Sequence, residues 1–288
     1  MALGLQRLGV LTELHRVEGL DGQGALRRSH PHRIGTSAPS RSYLILNGCP
    51  RGKGWIGTVS GVDGVLLEVD GLEVGYGLPV CPPIDLRVGA GEVVAVIGSN
   101  GSGKSTLLRT VVGLLEPLNG RLQMFGADLD ERSTGFRAAV AAELGDEAFF
   151  PTLTVREHLL LTCYGHGVDD PDGVTDYQIE VFGLTERANA LPSALSSGQR
   201  RRLALAAAFA RPRSLMILDE PEQRLDATIR GALGGWLVEE REAGGSVLMA
   251  THDPELLIRT ATKVLVISDD EIRLVGPERG VEIIRHEL

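Results

Sequence analysis

The chain has 288 residues, of which 43% are hydrophobic and 23% charged, and it carries a formal net charge of −9. The length allows one large domain or two modest ones, and the composition excludes whole-chain disorder and fibrous repeats. No apolar run approaches the roughly 18 residues that span a bilayer, and the acidic balance disfavours nucleic acid as a partner, since phosphate contacts need a basic face.

The first segment, residues 1–61, differs from the rest. It carries a net charge of +5, which leaves −14 on residues 62–288. It is rich in Gly, Arg, Ser and His, and is predicted to be a disordered N-terminal extension. Its start does not read as a signal peptide, because Glu13 and Arg16 interrupt a short apolar stretch after Arg7. His30 and His32 have no partner cluster that would make them a metal site. The three cysteines, Cys49, Cys81 and Cys163, are widely spaced and form no CxxC pair. A soluble chain in a reducing cytoplasm is expected, with any membrane role mediated by a partner.

From residue 62 strands and helices alternate. Leu66–Val69 and Leu72–Val74 read as paired edge strands. Val93–Ile97 is a continuous apolar run, the mark of a buried parallel strand. A Gly-rich loop and a helix over Ser105–Leu115 follow. Thr154-Val155-Arg156-Glu157 is a capping box ahead of an apolar helix at His158–Tyr164. Ser214–Leu218 and Ser246–Ala250 are further buried strands, and Asp226 is placed to cap a helix running through Trp236. Val264–Ile267 and Ile272–Val275 flank Ser268–Glu271 as a hairpin. The alternation predicts an α/β fold with a mostly parallel sheet.

Gly98-Ser99-Asn100-Gly101-Ser102-Gly103-Lys104-Ser105 fits G-x-x-x-x-G-K-[ST], after a strand and at the start of a helix. Glycines let the backbone turn its N–H groups toward a phosphate, and the helix N-terminus adds partial positive charge. Lys104 supplies a charge for the β and γ phosphates, and the Ser105 hydroxyl suits Mg2+. Residues 99–103, Lys104, Ser105 and Thr106 are the candidate phosphate contacts. Leu215–Leu218 leads into Asp219 and Glu220. Ligands of open parallel sheets lie beyond the strand C-termini, so Asp219 is a candidate Mg2+ ligand and Glu220 a candidate base for an attacking water.

The series continues with Leu195-Ser196-Ser197-Gly198-Gln199, with Pro221 after Glu220, with Gln223-Arg224-Leu225-Asp226, and with Thr251-His252-Asp253 after a strand. In that order the motifs resemble the nucleotide-binding domain of ATP-binding cassette (ABC) proteins: signature, D-loop and switch histidine. The resemblance covers about residues 64–280. It implies a P-loop NTPase core of the ABC type, with a mostly parallel sheet, an antiparallel β subdomain and a helical subdomain at about 136–200, all within 62–288. It also implies ATP as ligand, Mg2+ as its ion, and two such domains closing head-to-tail on two ATP molecules. Ser196, Gly198 and Gln199 would then face the partner's γ-phosphate and Asp226 would stand in the D-loop. His252 would bridge phosphate and Glu220, and Tyr76 would stack under adenine. A core or edge tyrosine is the other reading of Tyr76.

The chain departs from the family pattern in several places. Ser197 replaces a signature glycine, and the D-loop lacks its usual Ser-Ala. No glutamine stands in the Q-loop region Glu143–Pro151, where Gly145 or Asp146 takes its place. Asp146 is either an acidic metal or water ligand or a solvated loop acid. Phe149 and Phe150 suggest an exposed anchor for a membrane-subunit helix, the alternative being that one ring fills the helical subdomain's core. Arg200–Arg202 read as a solvated or phosphate-facing helix surface.

The leading reading is the ATP-hydrolysing subunit of an ABC transporter, working with a separate membrane permease and a second nucleotide-binding domain at the cytoplasmic face of the membrane. A soluble ABC ATPase, or a binding-only cassette, remains the alternative. Soluble translation factors usually carry two cassettes and repair ATPases a long coiled-coil insertion; neither feature is present here.

Overall fold

The computed structural model describes residues 41–45, 57–61, 64–145 and 148–288. The reading of residues 1–61 as an extension lies outside these, apart from two strands, β1 (Arg41–Ile45) and β2 (Gly57–Gly61), which pair antiparallel.

The elements that follow, in chain order, are β3 (Val65–Glu73), β4 (Ile84–Gly89), β5 (Val93–Gly98), α1 (Lys104–Val111), β6 (Asn119–Met124), β7 (Ala127–Asp128), α2 (Thr134–Ala139), β8 (Val140–Glu143), α3 (Val155–Gly165) and α4 (Pro171–Val181). Then come α5 (Ser197–Ala210), β9 (Leu215–Asp219), α6 (Ala227–Glu242), β10 (Ser246–Ala250), α7 (Pro254–Thr260), β11 (Lys263–Ile267), β12 (Ile272–Val275) and α8 (Pro277–His286).

The main sheet has the order β12-β11-β5-β10-β9-β8, parallel throughout except for β12, which returns antiparallel to β11. A second sheet, β4-β3-β6-β7, is antiparallel. Side chains alternate across β5: Val93, Ala95 and Ile97 enter one core with α3–α8, while Val94 and Val96 enter another with the second sheet. Leu107, Leu108 and Val111 put α1 in that second core, between the two sheets. Helices α3, α4 and α5 pack on one another and cover the other face through Leu159, Ile179, Phe182 and Leu203.

Residues 66–74 form no pair of strands: β3 runs through Gly71, whose φ of +56° takes up a register shift that a side chain at that position would oppose. Helix α1 stops at Val111, short of Leu115, because Gly113 turns the chain at φ +79°. The capping box at Thr154 is present, and Asp226 caps α6 by accepting from the Ile229 N–H at 3.0 Å. Arg201 is not part of a solvated face: it is 3% exposed, while Arg200 and Arg202 donate to the carbonyls of Leu195 and of Phe182 and Gly183.

Candidate functional site

The phosphate loop leaves the C-terminal end of the central strand β5. Gly98 has no room for a side chain, since a Cβ there would lie 2.4 Å from the Ile267 carbonyl oxygen. Gly101 (φ +86°) and Gly103 (φ +101°) take left-handed backbone that turns successive N–H groups to one side. Ser99, Asn100, Gly101 and Ser105 are exposed, Thr106 is half-buried, and Ser102 and Lys104 are buried. Lys104 Nζ donates to the carbonyls of Gly98 and Ser99, at 2.8 and 2.9 Å, so the ammonium lies inside the loop that would receive a phosphate. Burial pushes its pKa down, and the nearby charges of Glu220 and Asp219 oppose that shift.

Asp219 ends β9, and its carboxylate accepts a hydrogen bond from Ser105. Its Oδ1 is buried and has no hydrogen-bond partner among the described residues. Burial raises the Asp219 pKa, and Arg201 and Lys104 pull it back. A hydroxyl and a carboxylate with one oxygen free are hard donors, a set that suits Mg2+ whose remaining positions are filled by phosphate and water.

Glu220 has φ +45°, in the left-handed region, where non-glycine residues are held only by their surroundings. Its N–H donates to the Ala250 carbonyl at 2.9 Å, and its own carbonyl accepts from Arg201. His252 Nε2 stands 3.5 Å from Glu220 Oε1. Burial, then the charge of Lys104, lowers the His252 pKa, so the imidazole is neutral at pH 7 and the contact is not an ion pair.

A cleft lined by Ser105, Gly145, Arg201, Asp219, Glu220 and Gln223 joins the phosphate-loop end to the carboxylates. A neighbouring one is lined by Glu220, Glu222, Gln223, Arg230, His252 and Asp253. Gly145 therefore borders the site, at φ +81° with nothing within 4 Å of where a Cβ would be. Asp146 lies outside the described residues. Tyr76 is 70% exposed, in the loop that continues to Val80 and Cys81; those two lie against Gly103.

Ser196, Gly198, Gln199 and Asp226 line neither cleft. Ser196 caps α5, its Oγ accepting from the Gln199 N–H at 3.2 Å while Gln199 Oε1 accepts from the Ser196 N–H at 2.9 Å. Gly198 is pressed on the D-loop: a Cβ there would lie 2.8 Å from the Arg224 carbonyl oxygen. Glu222 and the Glu143–Arg201 pair escaped the reading of the sequence. Arg201 shares a helix face with the buried Leu205 and Ala208, a spacing that would have marked it as inward-facing.

The loop, the strand-end carboxylates and the sheet order define a P-loop nucleoside triphosphatase. Residues 81–223 match the ABC transporter family. The chain is 38% identical over 197 residues to the thiamine import ATP-binding protein ThiQ of Cereibacter sphaeroides, covering 67% of this chain and 84% of that protein. It is 35% identical over 196 residues to the sulfate/thiosulfate import ATP-binding protein CysA of Synechococcus elongatus, and spans 57% of that protein's length. A solved structure of the ATP binding subunit of an ABC transporter superposes with a TM-score of 0.68 at 26% identity, over 77% of this chain and 98% of that one. The chain belongs to the ABC transporter family as one of its ATP-binding subunits, which are ATPases. No helix among the described residues is long and apolar enough to cross a membrane.

Proposed function

We propose that this chain is the ATP-hydrolysing subunit that powers a separate membrane permease, by closing on a second nucleotide-binding domain when both hold ATP. The reading rests on one observation above the others: the phosphate loop, Asp219, Glu220 and His252 converge at the C-terminal edge of one sheet. In it, the loop N–H groups, Lys104, Ser105 and Thr106 hold the phosphates, and Tyr76 lies under the adenine. Ser105 and Asp219 hold Mg2+, which when bound offsets phosphate charge. Glu220 takes a proton from the attacking water, and neutral His252 stands between that carboxylate and the terminal phosphate.

The signature residues line neither of the chain's own clefts. This supports Ser196, Gly198 and Gln199 serving the ATP of the opposite subunit, with Asp226 in the adjoining D-loop. A chain of this kind works at the cytoplasmic face of the membrane, held there by the permease.

The test is affinity purification of the tagged chain from detergent-solubilised membranes of its native host. A stoichiometric multi-span protein is expected. A chain that hydrolyses ATP but brings down no membrane protein would replace this reading with that of a soluble ABC ATPase.

A further inference from the structure

Glu222 belongs to none of the motifs above. It follows Pro221 between β9 and α6 and is 7% exposed. Its Oε1 accepts two hydrogen bonds from the loop after β10: the Thr251 hydroxyl donates at 2.6 Å and the His252 main-chain N–H at 3.1 Å. The Thr251 hydroxyl oxygen also accepts from the Asp253 N–H at 3.0 Å. Asp253 Oδ1 then accepts from the N–H groups of Glu255 and Leu256, at 2.8 and 3.1 Å, and caps α7. A single carboxylate oxygen therefore begins a chain of bonds that fixes residues 251–253. Thr251 is fully buried, and among the described residues its hydroxyl hydrogen goes to Glu222. Burying a carboxylate is unfavourable unless it is compensated, and an apolar side chain at 222 could not supply these bonds.

We propose that Glu222 is a positioning residue for His252, holding the main chain on either side of it so that the imidazole meets Glu220 across the cleft. The inference rests on the reading of Glu220 and His252 as hydrolytic machinery. It adds a link between two strand ends: Glu222 leads into the D-loop residue Gln223, so a movement of that loop reaches the histidine through one carboxylate.

The test measures ATP turnover and ATP binding on the full chain for Glu222→Ala, Glu222→Gln and Glu220→Gln. Glu222→Ala should lower kcat about tenfold or more with KM for ATP nearly unchanged, since two buried donors lose their acceptor while the phosphate loop keeps its own. Glu222→Gln retains an acceptor oxygen and should restore kcat to within about threefold of wild type. Wild-type kcat in Glu222→Ala, or a loss matched by lost ATP binding, or a Gln variant as poor as the Ala variant, would overturn the proposal. Wild-type hydrolysis in Glu220→Gln would instead remove the reading on which it rests. Should Glu222→Ala fail to fold, Thr251→Val breaks the same link from the other side. It should lower kcat several-fold with Thr251→Ser restoring it; a Val variant at wild-type kcat would count against the link.

Discussion

Arg201 and Glu143 form an ion pair inside the protein, with their side chains 4% and 6% exposed. The same guanidinium donates to the main-chain carbonyls of Asp219 at 2.7 Å and Glu220 at 2.9 Å. Arg201 stands on the helix that Ser196 caps, and Glu143 ends the strand that leads to Gly145. The signature helix, the Q-loop strand and the ends of the two carboxylate residues' backbones are thus tied at one side chain.

Replacing Arg201 with Ala should destabilise the fold by about 3–5 kcal/mol, because it strands a buried carboxylate and two strand-end carbonyls. Replacing both partners, Arg201→Met with Glu143→Leu, should cost less than the single change. Urea unfolding of the three proteins measures this. A single variant as stable as wild type would show that the pair contributes little.

Lys104→Ala should weaken ATP binding at least about tenfold, through loss of a charge from within the loop. Among the described residues its ammonium donates to the loop carbonyls of Gly98 and Ser99, so the melting temperature should change little. Isothermal titration with ATP and Mg2+ checks the first statement and calorimetric melting the second. Undiminished affinity would remove Lys104 from phosphate binding.

Glu220→Gln should leave ATP binding intact and slow hydrolysis by about a hundredfold or more. An ATP-bound pair of subunits should then accumulate on size-exclusion chromatography with ATP. A variant that hydrolyses ATP at the wild-type rate would take the base role from Glu220.

His166 is half-buried beside Arg211. Burial, then that positive charge, pushes its pKa from 6.5 down to about 4. The unfolded chain therefore takes up this proton near pH 6.5, and the folded protein only near pH 4. Stability contributed at this position falls as pH is lowered through that window and levels off below it. His166→Gln should flatten the acid limb of a stability-against-pH curve and leave the response above pH 7 as in wild type. Parallel curves through pH 4–6.5 would show that other groups carry the loss.

Phe149 and Phe150 should behave differently. Phe149 packs against the main core and meets the His158 ring edge-on, with centroids 5.5 Å apart, whereas Phe150 is 60% exposed. Both line an apolar groove with Leu114, Leu161 and Leu203. Phe150→Ala should reduce the membrane-bound fraction in the native host at unchanged stability. Phe149→Ala should cost about 1–3 kcal/mol of stability. An unchanged membrane-bound fraction in both variants would count against the anchor.

What a contiguous stretch specifies was legible in the sequence. Gly98–Ser105, Asp219-Glu220 and Thr251–Asp253 each occupy a few neighbouring positions at the ends of strands whose apolar runs mark them as buried, and the structure brings them together around two clefts. The caps at Thr154 and Asp226 were legible for the same reason. Contacts between distant segments were not. Glu143 and Arg201 are 58 positions apart, and Glu222 and Thr251 are 29 apart. No local pattern announces that an acid and an arginine will be buried together. The signature motif marks Gly198 as a residue facing phosphate; that its lack of a side chain also admits the Arg224 carbonyl follows only from the packing. A continuous strand through Gly71 is not legible locally, because a glycine inside a strand looks like an interruption until a bulge accommodates it.

The left-handed backbone at Glu220 sets stability against placement of the carboxylate. A glutamate held at φ +45° costs the fold about 1 kcal/mol or more that glycine or asparagine would not. A library of variants selected for heat resistance alone should therefore drift toward Gly or Asn at this position, and the most heat-resistant survivors should be among the poorest ATPases. Such a screen would reveal the site from thermostability data, with no nucleotide in the tube.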